Sequence, residues 1–195
     1  MMKIARTTQA LMAFVLMMMI FSGTSCSLFG SDDEIVIGLP YKGGIVGYIY
    51  VQGDPGYVAG ETHGIIVAPY DNANNIHWAT TEDATGAVEV ALGKGLFNTQ
   101  QIITYHGSDP SAANVCDDLK IDDYSDWYLP SKDELEKIWE NHQTIGGFDV
   151  NAHYWTSSES FQDYKNAGVV NFYAGNFGYH LKTSQNHHVR AIRYF

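Results

Sequence analysis

Ser157 and Ser158, in the run WTSSES, are the hydroxyls of this chain best suited by type to act as nucleophiles, and His153 and Glu159 stand close by in sequence. Acyl transfer needs a histidine within hydrogen-bonding reach of the hydroxyl and a third group to orient it, and nearness along the chain does not build that arrangement. The strand-turn-helix elbow G-x-S-x-G is absent, and no Gly-rich turn of the phosphate-cradling kind opens a helix. A hydrolase or modifying enzyme on these serines is therefore the minority reading, and no catalytic residue is assigned.

The second chemistry to weigh is metal binding. The chain has 8 histidines, with His180, His187 and His188 gathered near its end. Zinc needs ligands converging at about 2 Å, usually at recognisable spacings. H-E-x-x-H and paired cysteines are both missing, and the adjacent His187 and His188 point to opposite sides of a strand. Asp71, Asn72, Asn74 and Asn75 offer oxygen ligands, yet lack the spacing and distal glutamate of a calcium loop. No metal or other cofactor is expected, calcium at this loop being the alternative. Asp117, Asp118, Asp122, Asp123 and Asp126 read as a solvated acidic turn.

The densest stretch is SDWYLPSKDEL, Ser125 to Leu135. Ser131 and Glu134 form an S-x-x-E capping box, and Pro130 holds the residue before it extended. Leu135, Ile138, Trp139 and His142 follow at helical spacing. Trp127 and Tyr128 alternate across an extended segment, which predicts one ring in the core and the other toward the surface. Asp126 is expected to pair with Arg190 or Arg193, since a buried guanidinium needs a carboxylate to offset lost hydration. Together with Trp155, these residues (Asp126, Trp127, Pro130, Ser131, Glu134, Arg190, Arg193) read as a structural joint rather than an active site.

The elements that would position them follow from pattern. GGIVGYIYV and HGIIVAP, separated by a Gly- and Pro-containing stretch, predict a hairpin with a long loop. DNANNIH, Asp71 to His77, reads as a loop leading to a core Trp78. Helices are predicted over Gly95 to His106, over Ser111 to Leu119 with Ser111 as cap and Cys116 buried, and after Ser131. Tyr154 to Ser157, Gly168 to Tyr173, Tyr179 to Lys182 and the run His187 to Phe195 read as mainly antiparallel strands. Helices between two sets of strands give an α+β domain.

The ends bound the setting. Lys3 and Arg6 precede the apolar run Ala10 to Phe21, and small residues lead to Cys26, as in a secretory signal. Its 12 apolar residues fall short of the roughly 20 that span a bilayer. Small residues directly before Cys26 resemble a bacterial lipobox, although Gly23 stands where leucine is common, and an ordinary cleavage site is the alternative. The acidic SLFGSDDE resembles the surface-export signal of Bacteroidetes lipoproteins. The division expected is a signal over 1–26, a linker over 27–42 and one domain over 43–195, in an outer-membrane lipoprotein anchored by lipid, with either face of that membrane open to it. Net charge is −11, and losing the leader with its two basic residues takes it to −13. That excludes nucleic acid as a natural partner and disfavours polyanionic sugars.

The blocks GGIVGYIY, HGIIVAP, CDDLKIDDYSDWYLPSKDEL, YWTSSE and VRAIRYF, in that order, resemble the C-terminal domain of the Legionella collagen-like adhesin and its relatives in bacterial lipoproteins. The resemblance implies a C-type-lectin-like fold of twisted antiparallel strands with two to three helices, and binding of sulfated sugars through basic surface, which this acidic chain does not offer. The calcium-lectin triplets are absent as well. The reading reached is a non-catalytic surface domain recognising carbohydrate or protein, with Tyr164, Tyr173, Asn176, Phe177 and Tyr179 as candidate contacts. A purely structural module of an envelope assembly is the second reading. Oligomeric state is not legible.

Overall fold

The computed structural model describes residues 34–195; Cys26 and the leader lie outside them. In chain order the elements are β1 (Pro40–Tyr41), β2 (Gly44–Ile49), β3 (Gly64–Val67), β4 (Ala73–Ile76), α1 (Gly95–His106), α2 (Ala112–Asp117), α3 (Lys132–Glu140), α4 (His142–Ile145), β5 (His153–Glu159), β6 (Asn166–Asn171), β7 (Phe177–Leu181), β8 (His187–Val189) and β9 (Ile192–Tyr194). They form two sheets, ordered β1-β2-β3-β9 and β4-β8-β5-β6-β7. Pairing is antiparallel except for a short parallel contact of β5 with β8. The class is α+β, as expected.

Strand alternation divides the interior. Successive side chains of β3 face opposite ways: Ile66 joins Val46, Trp78, Trp127, Trp155 and Ile102, while Ile65 and Val67 join Tyr128, Leu135, Ile138, Tyr154 and Phe172. Helices α1 and α2 cover the first cluster and α3 the second. Both faces are covered, so the expectation that one of Trp127 and Tyr128 would lie toward the surface fails. Each is 1% exposed, in a different cluster.

Three further boundaries differ from the sequence reading. Ala73–Ile76 is not loop but a short strand on β8, with a register shift around Asn75, whose φ is +58°. The C-terminal run is two strands in different sheets, because Asn72 Oδ1 accepts from Ala191 N at 2.6 Å and takes that amide out of the ladder. The linker expected to run to residue 42 ends earlier: Ile35 and Ile37 pack on the first cluster and Pro40–Tyr41 pair with β2.

The coil from Thr85 to Leu92 has no ladder of its own, yet Ala87 and Leu92 are buried. Buried backbone polar groups need partners, and side chains from neighbouring elements supply them. Asn98 exchanges two bonds with the Glu89 backbone at 2.6 and 3.2 Å, Ser158 Oγ donates to Glu89 O, and Ser131 Oγ donates to Ala91 O. Much of the density around Ser131 and Ser158 exists to hold this segment.

Candidate functional site

The polar groups singled out in the sequence are mostly engaged internally. Ser131 and Glu134 form the expected capping box at the start of α3. The Glu134 carboxylate also accepts from Gly93 N at 3.1 Å and from the hydroxyls of Tyr128 and Tyr194. Burial pushes its pKa up, and these bonds oppose that. Ser157 Oγ faces Asn98 Nδ2 at 3.3 Å, and Ser158 Oγ lies between Glu89 O and Lys132 N. Glu159 Oε2 accepts from Thr85 and from the fully buried Lys182 at 2.9 Å. Among the described residues no histidine bonds either serine.

The two arginines part company. Arg193 meets Asp126 through Nε and Nη2 at 2.6 and 3.0 Å, with Tyr124 stacked at 4.0 Å. Arg190 goes instead to Asp71, at 3.1 Å, and to the carbonyls of Ala68 and Gly147. Asp71 also accepts from the Tyr154 hydroxyl at 2.7 Å and faces His188 Nδ1 at 2.9 Å. Of the side chains considered for calcium, Asp71 is taken up in this hub and Asn72 by the Ala191 amide, while Asn74 and Asn75 are exposed, and no group of three His, Cys, Asp or Glu among the described residues is placed to hold a metal. His187 points away from His188 into the first cluster, its ring tilted against Trp155 with centroids 4.1 Å apart. Its Nε2 lies 2.6 Å from His180 Nδ1, and His153 stands within 5.1 Å of His180 between ring centroids. Burial, then the neighbouring imidazoles, lowers the His187 pKa to about 4.

Of the candidate contacts, Tyr164, Tyr173, Asn176 and Tyr179 are open to solvent. In the β6–β7 hairpin Gly168 pairs with Tyr179 and Val170 with Phe177. A Cβ at Gly168 would sit 2.7 Å from the Phe177 ring, so glycine lets that ring lie flat across the strand. Tyr179 meets Phe177 edge-on at 4.9 Å, and the Lys132 ammonium sits 5.3 Å from the Phe177 centroid. Tyr179 is 46% exposed. Asn176 and Tyr173 are exposed in the turn, where Asn171 Oδ1 accepts from Tyr173 N and Ala174 N. The structure therefore groups Phe177 and Tyr179, sets Tyr173 and Asn176 at one end of the hairpin, and leaves Tyr164 beyond Asn166 at the other, about 17 Å of strand away. Phe161, 86% exposed beside Tyr164, and Lys132 were not foreseen. Phe161 carries no periodic signal, and Lys132 comes near only through the tertiary fold.

Residues 68–193 match the family profile of the Lcl C-terminal domain. The chain belongs to that family. Membership carries the coarse reading of an adhesin-type, cell-surface domain. Among solved structures, a fimbrial protein from Bacteroides ovatus ATCC 8483 superposes with a TM-score of 0.46 at 13% identity, over 68% of this chain and 35% of that one. The chain thus spans about a third of that protein, and so slight a likeness carries no function. No curated protein matches the chain. Among the described residues no helix is long and apolar enough to cross a membrane.

Proposed function

We propose that this Lcl C-terminal domain is a non-catalytic recognition module, tethered to the outer membrane by lipid on Cys26, that binds neutral carbohydrate across the β6–β7 hairpin. The observation that carries the reading is the pair of a half-buried Phe177 and an exposed Tyr179, with the Lys132 ammonium at its edge and the exposed Asn176 beside it in the turn. Aromatic faces suit the C–H patches of a pyranose ring, and an amide and an ammonium supply directional contacts to its hydroxyls. A net charge of −11 weighs against sulfated chains. The engagement of Ser157, Ser158 and Glu159 in fold-holding bonds supports a role without covalent chemistry.

A glycan array probed with the soluble domain from Ser27 onward tests this. Binding should be lost in Phe177→Ala and Tyr179→Ala and kept in Tyr164→Ala; the absence of any hit, or hits indifferent to Phe177, would overturn it. One feature favours a second reading, an envelope interaction module. Strand β7 is the outer strand of its sheet, so a protein partner could pair along it. Crosslinking in intact cells followed by mass spectrometry separates the two, because strand addition would place crosslinks along Phe177–Leu181 and leave the array silent.

A further inference from the structure

Apart from the hairpin, the fold has an aromatic cavity lined by Tyr50, His63, Tyr194 and Phe195. We propose that the cavity where β2, β3 and β9 end binds the free carboxyl terminus of a peptide whose last side chain is apolar. Its volume is about 520 Å³, within the roughly 300–1,000 Å³ of small-ligand sites. Tyr50 leaves β2, His63 enters β3 and Phe195 follows β9, and the ladder continues through them: Tyr50 N donates to His63 O at 2.9 Å and Phe195 N to Gly64 O at 3.2 Å. Leu92, Gly93 and Lys94 form a second wall, and the loop carrying Pro55 and Val58 a third.

These walls are fixed before any ligand arrives. Asp54 Oδ2 accepts from the Tyr48 hydroxyl at 2.7 Å and from Val51 N at 2.9 Å, which pins the loop. Gly56, at φ +90°, lies against the Tyr50 ring, where a Cβ would come within 3.1 Å of it. Gly93 N and the Tyr194 hydroxyl both donate to Glu134 beneath the floor. A preformed site avoids much of the ordering cost of association.

The chemistry of the ligand follows from the polar groups left over. The Tyr194 proton is held by Glu134, and both nitrogens of His63 are engaged, with Phe195 O and Glu61. Among the side chains that line the cavity, only those of Tyr50 and Lys94 end in a polar group without a hydrogen-bond or ion-pair partner among the described residues. In so acidic a chain, an unpaired lysine at an apolar mouth is the complement of an anion. One ammonium and one hydroxyl match one carboxylate. A sugar ring would bring several hydroxyls, each costing about 1–3 kcal/mol if buried unpaired, so the ligand's body must be apolar. Exposed Val51, Tyr57 and Val58 extend the apolar surface past the cavity, giving the residues before a peptide's last one a place to lie. That favours a chain end over a free small acid.

Amide NMR of the soluble domain from Ser27 onward tests the assignment with four probes: acetyl-Gly-Leu-Phe as the free acid, its C-terminal amide, 3-phenylpropionate and methyl glucuronide. The acid should shift Leu92, Gly93, Lys94 and Phe195, and the amide should bind about tenfold more weakly, as expected for one lost charge-assisted bond. Lys94→Gln, on an exposed side chain, should bring the acid down to the amide's affinity, while Phe177→Ala should change nothing. Equal binding of acid and amide would overturn the carboxylate. Phenylpropionate binding as tightly as the tripeptide would overturn the peptide, glucuronide alone shifting these residues would overturn the ligand class, and no shift with any probe would overturn the site. None of these outcomes bears on the hairpin, which the glycan array addresses separately.

Discussion

Asp71 holds more of the fold than its place in an asparagine-rich stretch announces. It meets Arg190, Tyr154 and His188 together, and Arg190 is 1% exposed with burial lowering its pKa. Removing one partner of a buried ion pair leaves the other uncompensated, at a cost of about 3–5 kcal/mol. Asp71→Asn should therefore lower the unfolding free energy by that order, read from urea titration, without touching either proposed binding surface. The histidine cluster gives a pH effect with a definite sign. His187 stays neutral in the fold down to about 4, whereas an unfolded histidine takes its proton near 6.5. The unfolded state thus binds the extra proton first, so stability is whole above about 6.5, declines as pH falls, and levels below about 4, by roughly 3 kcal/mol in all. Thermal melts across that window should show the decline, and His187→Gln should flatten it.

At the scale of the element, the hairpin turn has its own requirement. Gly175 has φ +72°, and a Cβ there would come within 2.3 Å of the Trp139 ring, whose N–H is bound to Phe172 O. Gly175→Ala should cost about 1–3 kcal/mol by strain and forced repacking, seen as a lower urea midpoint. Which elements were legible in the sequence has a physical pattern. Helix α2 and the capping box of α3 stood out because a cap is a local signal, whereas α1, without a side-chain cap and with Asn98 and Thr99 on its buried face, showed only a patchy apolar pattern. Strand β4 did not, since Asn74 and Asn75 carry no alternation and its pairing comes from β8, more than a hundred residues on. The break between β8 and β9 was equally hidden, because a side chain from Asn72 makes it. The pair Trp127 and Tyr128 shows the same limit: alternation reveals that two rings part, not that both sides are covered. Of the candidate site, the aromatic types were readable, but only the fold put Phe177 and Tyr179 together and sent Tyr164 away.

For the whole molecule, Cys116 is a built-in reporter. It is fully buried, and burial pushes its thiol pKa up, so the reactive thiolate is withheld. Alkylation of the domain from Ser27 onward should be negligible in buffer and rise with the globally unfolded fraction in urea; labelling well before the spectroscopic transition would mean the α2 region opens on its own.

The sheet formed by β1, β2, β3 and β9 depends on a pairing that sequence order makes difficult. Ile66 sits opposite Arg193, so strands roughly 130 residues apart must meet before that sheet is complete, and such long-range closure is what slows folding in small domains. Until β9 arrives, β3 has one unpaired flank bearing Ile65, Ile66 and Val67, a sticky ribbon in any crowded compartment. A cell that makes this protein has reason to keep a chaperone on the nascent chain until its last strand docks.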